Sequence, residues 1–128
     1  MSPDLKYLLF SAVLCFVQVL VAASGAHLQW GLARLAGNRE GLPELTGWAG
    51  RANRAHLNMI ENLVLFAILV LVAAVAGKAN AMTATGAALF FWGRLAHAVI
   101  YVAGLPWLRT LAWVVSVIGM VLIALQLF

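Results

Sequence analysis

The chain has 128 residues, of which 65% are hydrophobic and only 9% are charged, and its mean hydropathy is +1.00. A soluble domain carries about 25% charged residues, so this composition excludes one. The net charge of +4 is typical, in a membrane chain, of topology control and headgroup contact. No basic run with interleaved aromatic residues indicates nucleic-acid binding, no Cys/His cluster indicates a metal, and the single cysteine excludes an intramolecular disulfide.

Four apolar segments are long enough to cross a bilayer, at about 5–33, 55–77, 79–104 and 107–128. Glycine and proline interrupt the chain between them. The last two linkers are short, which predicts antiparallel neighbouring helices. We therefore expect an all-α integral membrane protein, an up-down bundle of four transmembrane helices in one domain that spans residues 1–128.

The basic residues predict an orientation. All six arginines lie on or near one predicted end of the bundle, whereas Lys6 and Lys78 lie at the other. The positive-inside rule then places the Arg-rich loop in the cytoplasm and both termini outside. Because the arginine fork suits carboxylates, the inner face is also a candidate site for an anion. Topology control alone is the alternative, and it accounts for Arg39 and Arg51.

A polar stripe marks the second predicted helix. At 100° per residue, one face within about 80° carries Arg51, Arg54, Asn58 and Glu61. His56 points elsewhere. Glu61 lies about 10 Å deeper than Arg54, where a carboxylate needs a partner or must be neutralised.

The third predicted helix offers that partner. Arg94, His97 and Tyr101 fall within about 60° of one another, and Arg94 has a depth comparable with that of Glu61. We predict a Glu61–Arg94 ion pair. This pair could belong to a binding site, or its role could be only structural, to lock two helices together. Arg109 begins the fourth helix at the same inner end. Helix packing alone does not account for so many converging polar groups.

Three motifs carry a family resemblance. The segments RAHLNMIEN (54–62), GRLAHAVIY (93–101) and LPWLRTLAW (105–113) resemble those of the MAPEG family, the membrane-associated proteins in eicosanoid and glutathione metabolism. The loop before the second helix is similar to that of bacterial members, which implies the bacterial inner membrane. The family implies a homotrimer that binds glutathione, its co-substrate, between subunits near the cytoplasmic side.

The resemblance also assigns residues by position. Arg109 matches the arginine near the glutathione sulfur and is the catalytic candidate, and Tyr101 is an alternative hydrogen-bond donor to that sulfur. The remaining positions that match glutathione contacts are Arg34, Arg54, His56, Asn58, Glu61, Arg94 and His97. The lipophilic second substrate would enter from the bilayer, between helices.

The resemblance indicates a glutathione-dependent transferase or peroxidase, similar to microsomal glutathione transferases. Leu57 replaces an arginine of some prostaglandin-forming relatives, and His97 replaces a tyrosine of leukotriene-forming relatives. Met59 replaces an acidic residue that is common beside the helix-2 motif. These differences argue against a specific eicosanoid synthase. One alternative is a non-catalytic lipid-binding member of the same family. A second is a small multidrug exporter, although the arginines around Glu61 disfavour a cationic substrate.

Overall fold

The computed structural model describes residues 1–128 and is entirely helical. Its elements are α1 (Pro3–Trp30), α2 (Leu32–Ala36), α3 (Gly47–Val75), α4 (Ala81–Ala103) and α5 (Pro106–Leu127). All except the short α2 are long and apolar enough to cross a membrane. The prediction of an all-α chain with four membrane-spanning helices is therefore confirmed.

Two helix ends differ from the bounds expected from hydropathy. The first helix stops at Trp30, because Gly31 takes a positive φ of 81° that a helix cannot continue through. The second long helix begins at Gly47 rather than near residue 55. Its first two turns contain Arg51 and Arg54. These arginines lower the mean hydropathy of the segment but do not prevent it from forming a helix.

The long helices run antiparallel to their neighbours along the chain. Near one end of the bundle, the Lys78 ammonium donates to the Leu127 carbonyl over 2.7 Å, and Asn80 bonds Gln126 over 3.0 Å. Near the other end, Arg51 Nε donates to the Val102 carbonyl over 2.9 Å. These contacts join the start of one helix to the end of the next, as an up-down bundle requires.

The four long helices do not all touch one another. α3 and α4 form a central pair, with α1 on one side and α5 on the other, and α1 does not contact α5. In the centre, the Phe66 and Phe90 rings stack 3.9 Å apart between α3 and α4. Many large apolar side chains, Phe16 and Ile118 among them, are exposed, as expected of a surface solvated by lipid.

α4 and α5 approach closely where Gly86 faces Gly119. A Cβ added to either glycine would overlap the carbonyl oxygen of the other. Small residues at such crossings let helix backbones pack directly, and van der Waals contact of this kind drives helix association in lipid.

We therefore expect Gly86→Val to separate α4 from α5 and to lower the free energy of unfolding by about 1–3 kcal/mol. Unfolding of the purified protein in mixed micelles would measure the loss. Ala96→Val adds the same kind of bulk at an exposed position of α4 and should leave stability nearly unchanged. Equal stability of the two variants would contradict this account of the crossing.

Candidate functional site

The site is built around a buried arginine. Arg94, on α4, is only 1% exposed, although it lies in a membrane-spanning helix. Its Nη2 donates a hydrogen bond of 2.8 Å to Asn58 Oδ1 on α3. Asn62, one turn further along α3, donates to the Asn58 carbonyl over 2.9 Å. The Arg94–Asn58 hydrogen bond joins α4 to α3.

A polar pocket of about 220 Å³ opens beside Asn58, between α3, α4 and α5. Its lining combines an amide, an imidazole, a phenol and a guanidinium with a hydroxyl and an indole. These belong to Asn58, His97, Tyr101, Arg109, Thr110 and Trp113. Four of the six are site residues predicted from the sequence, and the third and fourth spanning helices bring their motifs together here.

The cationic and aromatic side chains Arg109, Tyr101 and His97 of the pocket contact one another. The Arg109 guanidinium carbon lies 4.4 Å from the centre of the Tyr101 ring, a cation–π contact that orients the arginine. The Tyr101 ring in turn meets the His97 ring edge to face, with centroids 5.4 Å apart. Arg109 is only half-buried, so its N–H groups can face a ligand in the pocket.

Several buried polar atoms of α3 and α4 have no hydrogen-bond partner within the chain. They are Nε and Nη1 of Arg94, Nδ1 of His97 and Nδ1 of His56, and of these three residues only His97 lines the polar pocket. Buried polar groups in proteins are nearly always hydrogen-bonded. Arg109 lines the pocket and is half-buried, so its guanidinium makes the pocket suit a polar ligand with acceptor groups or negative charge.

The predicted Glu61–Arg94 ion pair is wrong within the chain. Arg94 bonds Asn58 instead, and its other guanidinium nitrogens have no hydrogen-bond partner. The Arg51–Val102 bond and the Phe66–Phe90 stack lie on either side of this contact and place Glu61 at about the depth of Arg94, so the pair fails because the Glu61 side chain faces away from α4. Glu61 is exposed on the surface of α3.

The remaining predicted residues lie outside the polar pocket. Arg34 is exposed on the short helix α2, and His56 is half-buried on α3. Arg54 is exposed and lines a separate pocket of about 380 Å³ with Arg39 and Glu44 of the preceding loop.

Two residues that line the pocket, Thr110 and Trp113, were not predicted from the sequence. Arg51, which belongs to the predicted polar stripe, has a structural role instead. Thr110 and Trp113 follow Arg109 by one and four positions, so helical periodicity around Arg109 was the signal that could have indicated Trp113. Arg51 satisfies a carbonyl near the end of α4, where the last four carbonyls of a helix have no partner within it.

The class of protein follows from these features: an integral membrane protein of four spanning helices with a polar pocket near one end. The chain belongs to the MAPEG family, since the model of that family matches residues 6–128, nearly its whole length. Comparison with curated proteins and with solved structures finds no match. Members of the family generally use glutathione, although some are not catalysts.

We expect Asn58→Leu to lower the free energy of unfolding by about 1.5–3 kcal/mol, since it removes the acceptor of a charged, buried donor. In the double variant with Arg94→Leu, no guanidinium remains to be satisfied, so much of that loss should be regained. Mixed-micelle unfolding of the wild type, both single variants and the double variant gives the coupling energy. Additive effects would show that the bond does not link α3 to α4 energetically.

Proposed function

We propose that this protein is a membrane-embedded glutathione transferase, with peroxidase activity as a side reaction, acting on lipophilic electrophiles or hydroperoxides in detoxification. The observation that carries the proposal is the cluster of Arg109, Tyr101, His97 and Asn58 around one pocket. Membership in the family supports glutathione as the co-substrate and disfavours the exporter alternative.

Arg109 is the proposed catalytic residue. A guanidinium beside a thiol favours the thiolate, which is the nucleophile. In conjugation, the thiol proton passes to solvent, the sulfur forms a bond to the electrophilic carbon, and a leaving group such as halide departs with its electron pair. Contact with the Tyr101 ring holds Arg109 in place, and the Tyr101 hydroxyl is the alternative donor to the sulfur.

The other assigned residues suit the remaining groups of glutathione, which has two carboxylates and one ammonium. Arginine forks bind carboxylates, and we assign that role to Arg54 and Arg34. Glu61 is the proposed partner of the ammonium. Arg94 and His97 have unpartnered nitrogens, and His97 lines the pocket. His56 and Arg94 are assigned to glutathione by their positions in the family motifs.

Exposure of Glu61 supports a homotrimer. Glu61 lies near the middle of α3 and is exposed with no partner in its own chain. A carboxylate facing lipid at that depth is costly, so this face should be covered in the working protein. A neighbouring subunit that also contributes Arg34 would cover it and complete the site between chains.

Localisation follows from the same charges. We propose that the chain lies in the bacterial inner membrane, with the Arg-rich loop in the cytoplasm and both termini outside. Lys6 and Lys78 lie at the opposite end of the bundle from that loop. The lipophilic substrate would then reach the pocket through the bilayer, while glutathione enters from the cytoplasm.

Replacing the proposed catalytic arginine tests the enzyme reading. Arg109→Ala should lower kcat/KM for conjugation of glutathione to an aryl halide by about 100-fold, because it removes a donor to the reacting sulfur. Arg109→Lys should retain part of the rate, since the charge remains. Lys6→Ala, at an exposed position of α1 near the opposite end of the bundle, is the control.

Turnover by Arg109→Ala equal to that of the wild type would rule out this role for Arg109. If the wild type binds glutathione but conjugates nothing, the non-catalytic lipid-binding alternative is the better account.

Glu61→Gln should raise the Kd for glutathione about tenfold, since a charged hydrogen bond to the ammonium is weakened. Calorimetry with the purified protein measures the Kd, and native mass spectrometry of the same samples reports the number of subunits. Glu40→Gln, which neutralises an exposed loop carboxylate, should change neither. Unchanged affinity and an unchanged assembly for Glu61→Gln would mean that Glu61 contributes neither to glutathione binding nor to a subunit interface.

A further inference from the structure

A second polar pocket lies at the Arg-rich end of the bundle, where the loop between α2 and α3 folds back against α3. It has a volume of about 380 Å³. The loop contributes Arg39 and Glu44 to its lining, and α3 contributes Asn53 and Arg54. Arg39 and Glu44 are exposed and Asn53 is half-buried, so a ligand from outside can reach these groups.

The loop that forms one wall of this pocket is fixed to the end of α1. The Gln29 side chain donates to the Thr46 carbonyl over 2.8 Å and accepts from the Thr46 N–H over 3.0 Å. Trp30 Nε1 donates to the Pro43 carbonyl over 2.8 Å, and both residues line the pocket. The pocket is therefore formed without a ligand. Tryptophan is enriched at the level of the lipid headgroups, which is the depth that this end of the bundle implies.

Arg39 and Glu44 carry opposite charges in this pocket but do not pair with each other. Arg39 Nε donates to the Leu35 carbonyl over 2.8 Å, and no ion pair or hydrogen bond joins Arg39 to Glu44. The φ of Arg39 is 61°, a conformation that glycine adopts without strain. An arginine is thus held in an unfavourable conformation with guanidinium N–H groups to spare. The pocket suits a ligand with an anionic group for Arg39 and an ammonium for Glu44.

An exposed apolar stripe continues from this pocket along α3 into the membrane. Leu57, Ile60 and Val64 follow Asn53 by four, seven and eleven positions, so the four residues fall within about 60° of one another. All three apolar side chains are exposed. Val64 lies about 16 Å deeper than Asn53. A ligand whose polar head occupies the pocket can therefore lay an apolar chain along this stripe.

We propose that this pocket, hereafter the loop pocket, binds a phospholipid whose headgroup combines a phosphate with a primary ammonium, as in phosphatidylethanolamine. The phosphate accepts from Arg39 and from the Asn53 amide, since arginine forks bind phosphate well. The ammonium donates to the Glu44 carboxylate, and an acyl chain lies along the apolar stripe. Arg54 is assigned above to glutathione, so the proposal rests on Arg39 and Glu44 and is independent of any reaction in the polar pocket.

The test compares two phospholipids with identical chains. Phosphatidylglycerol keeps the phosphate but has no ammonium. Native mass spectrometry of the full-length protein, released from micelles that contain both lipids in equal amounts, measures the ratio in which they are bound. The wild type should prefer phosphatidylethanolamine. Glu44→Gln should shift the ratio toward phosphatidylglycerol by about fivefold, as loss of an exposed ion pair allows, and Arg39→Gln should lower the binding of both lipids.

Glu40→Gln is the matched control. Glu40 is an exposed carboxylate of the same loop that does not line the pocket, so its substitution changes the net charge equally and should leave the ratio unchanged. All three substituted side chains are exposed, and unfolding in mixed micelles verifies that the variants remain folded. A wild type without preference, or an equal shift for Glu44→Gln and Glu40→Gln, would overturn the proposal.

Two further arms distinguish a lipid from soluble ligands of the same chemistry. Glycerophosphoethanolamine has the headgroup without the chains, and at equal concentration it should not displace the lipid. Displacement would mean that the occupant is a soluble molecule and that the lipid proposal is wrong. Glutathione also carries a carboxylate beside an ammonium, and calorimetry should give the same Kd for glutathione in the wild type and Glu44→Gln. A raised Kd with an unchanged lipid ratio would assign Glu44 to glutathione and contradict the proposal.

Discussion

The structure depends on how an arginine is accommodated inside a membrane-spanning bundle. Arg94 is almost fully buried and makes one hydrogen bond to a side chain, to Asn58 on the neighbouring helix. Because an unpaired charge in the hydrocarbon region is so costly, this bond constrains both the rotation and the sliding of α3 against α4. His97 follows Arg94 by about one turn and Tyr101 by two, so the same constraint positions the polar pocket.

Much of this arrangement could be predicted from the sequence, because helical periodicity is a strong signal. Spacing alone placed Arg94, His97 and Tyr101 on one face, and the pocket includes the last two together with Asn58 and Arg109. Hydropathy identified the spanning helices, because a chain that crosses lipid must satisfy its backbone hydrogen bonds internally, and a long apolar helix does so. The assignments of Arg34, Arg54, His56 and Glu61 stay predictions.

The sequence did not predict which residues of neighbouring helices contact each other. A helical projection gives the angles between residues of one helix but not which of them face the neighbouring helix, and in the structure Asn58 faces Arg94 whereas Glu61 is exposed. The predicted start of α3 was also wrong, because hydropathy does not report the whole helix. Hydropathy detects the part of a helix that lies in lipid, whereas α3 begins at Gly47 with charged turns that extend beyond it.

The single chain satisfies some of its intramembrane polar groups and leaves others unpaired, and the division is informative. Asn58 and Arg94 pair between helices of one chain, although two other guanidinium nitrogens of Arg94 have no partner. Glu61 faces outward in mid-helix, and Gln18 on α1 is buried with an unpaired amide oxygen. Both are costly in lipid alone, and the bundle could have avoided either cost with an apolar residue. The exposed carboxylate of Glu61 is therefore the group that the proposed subunit interface would have to satisfy.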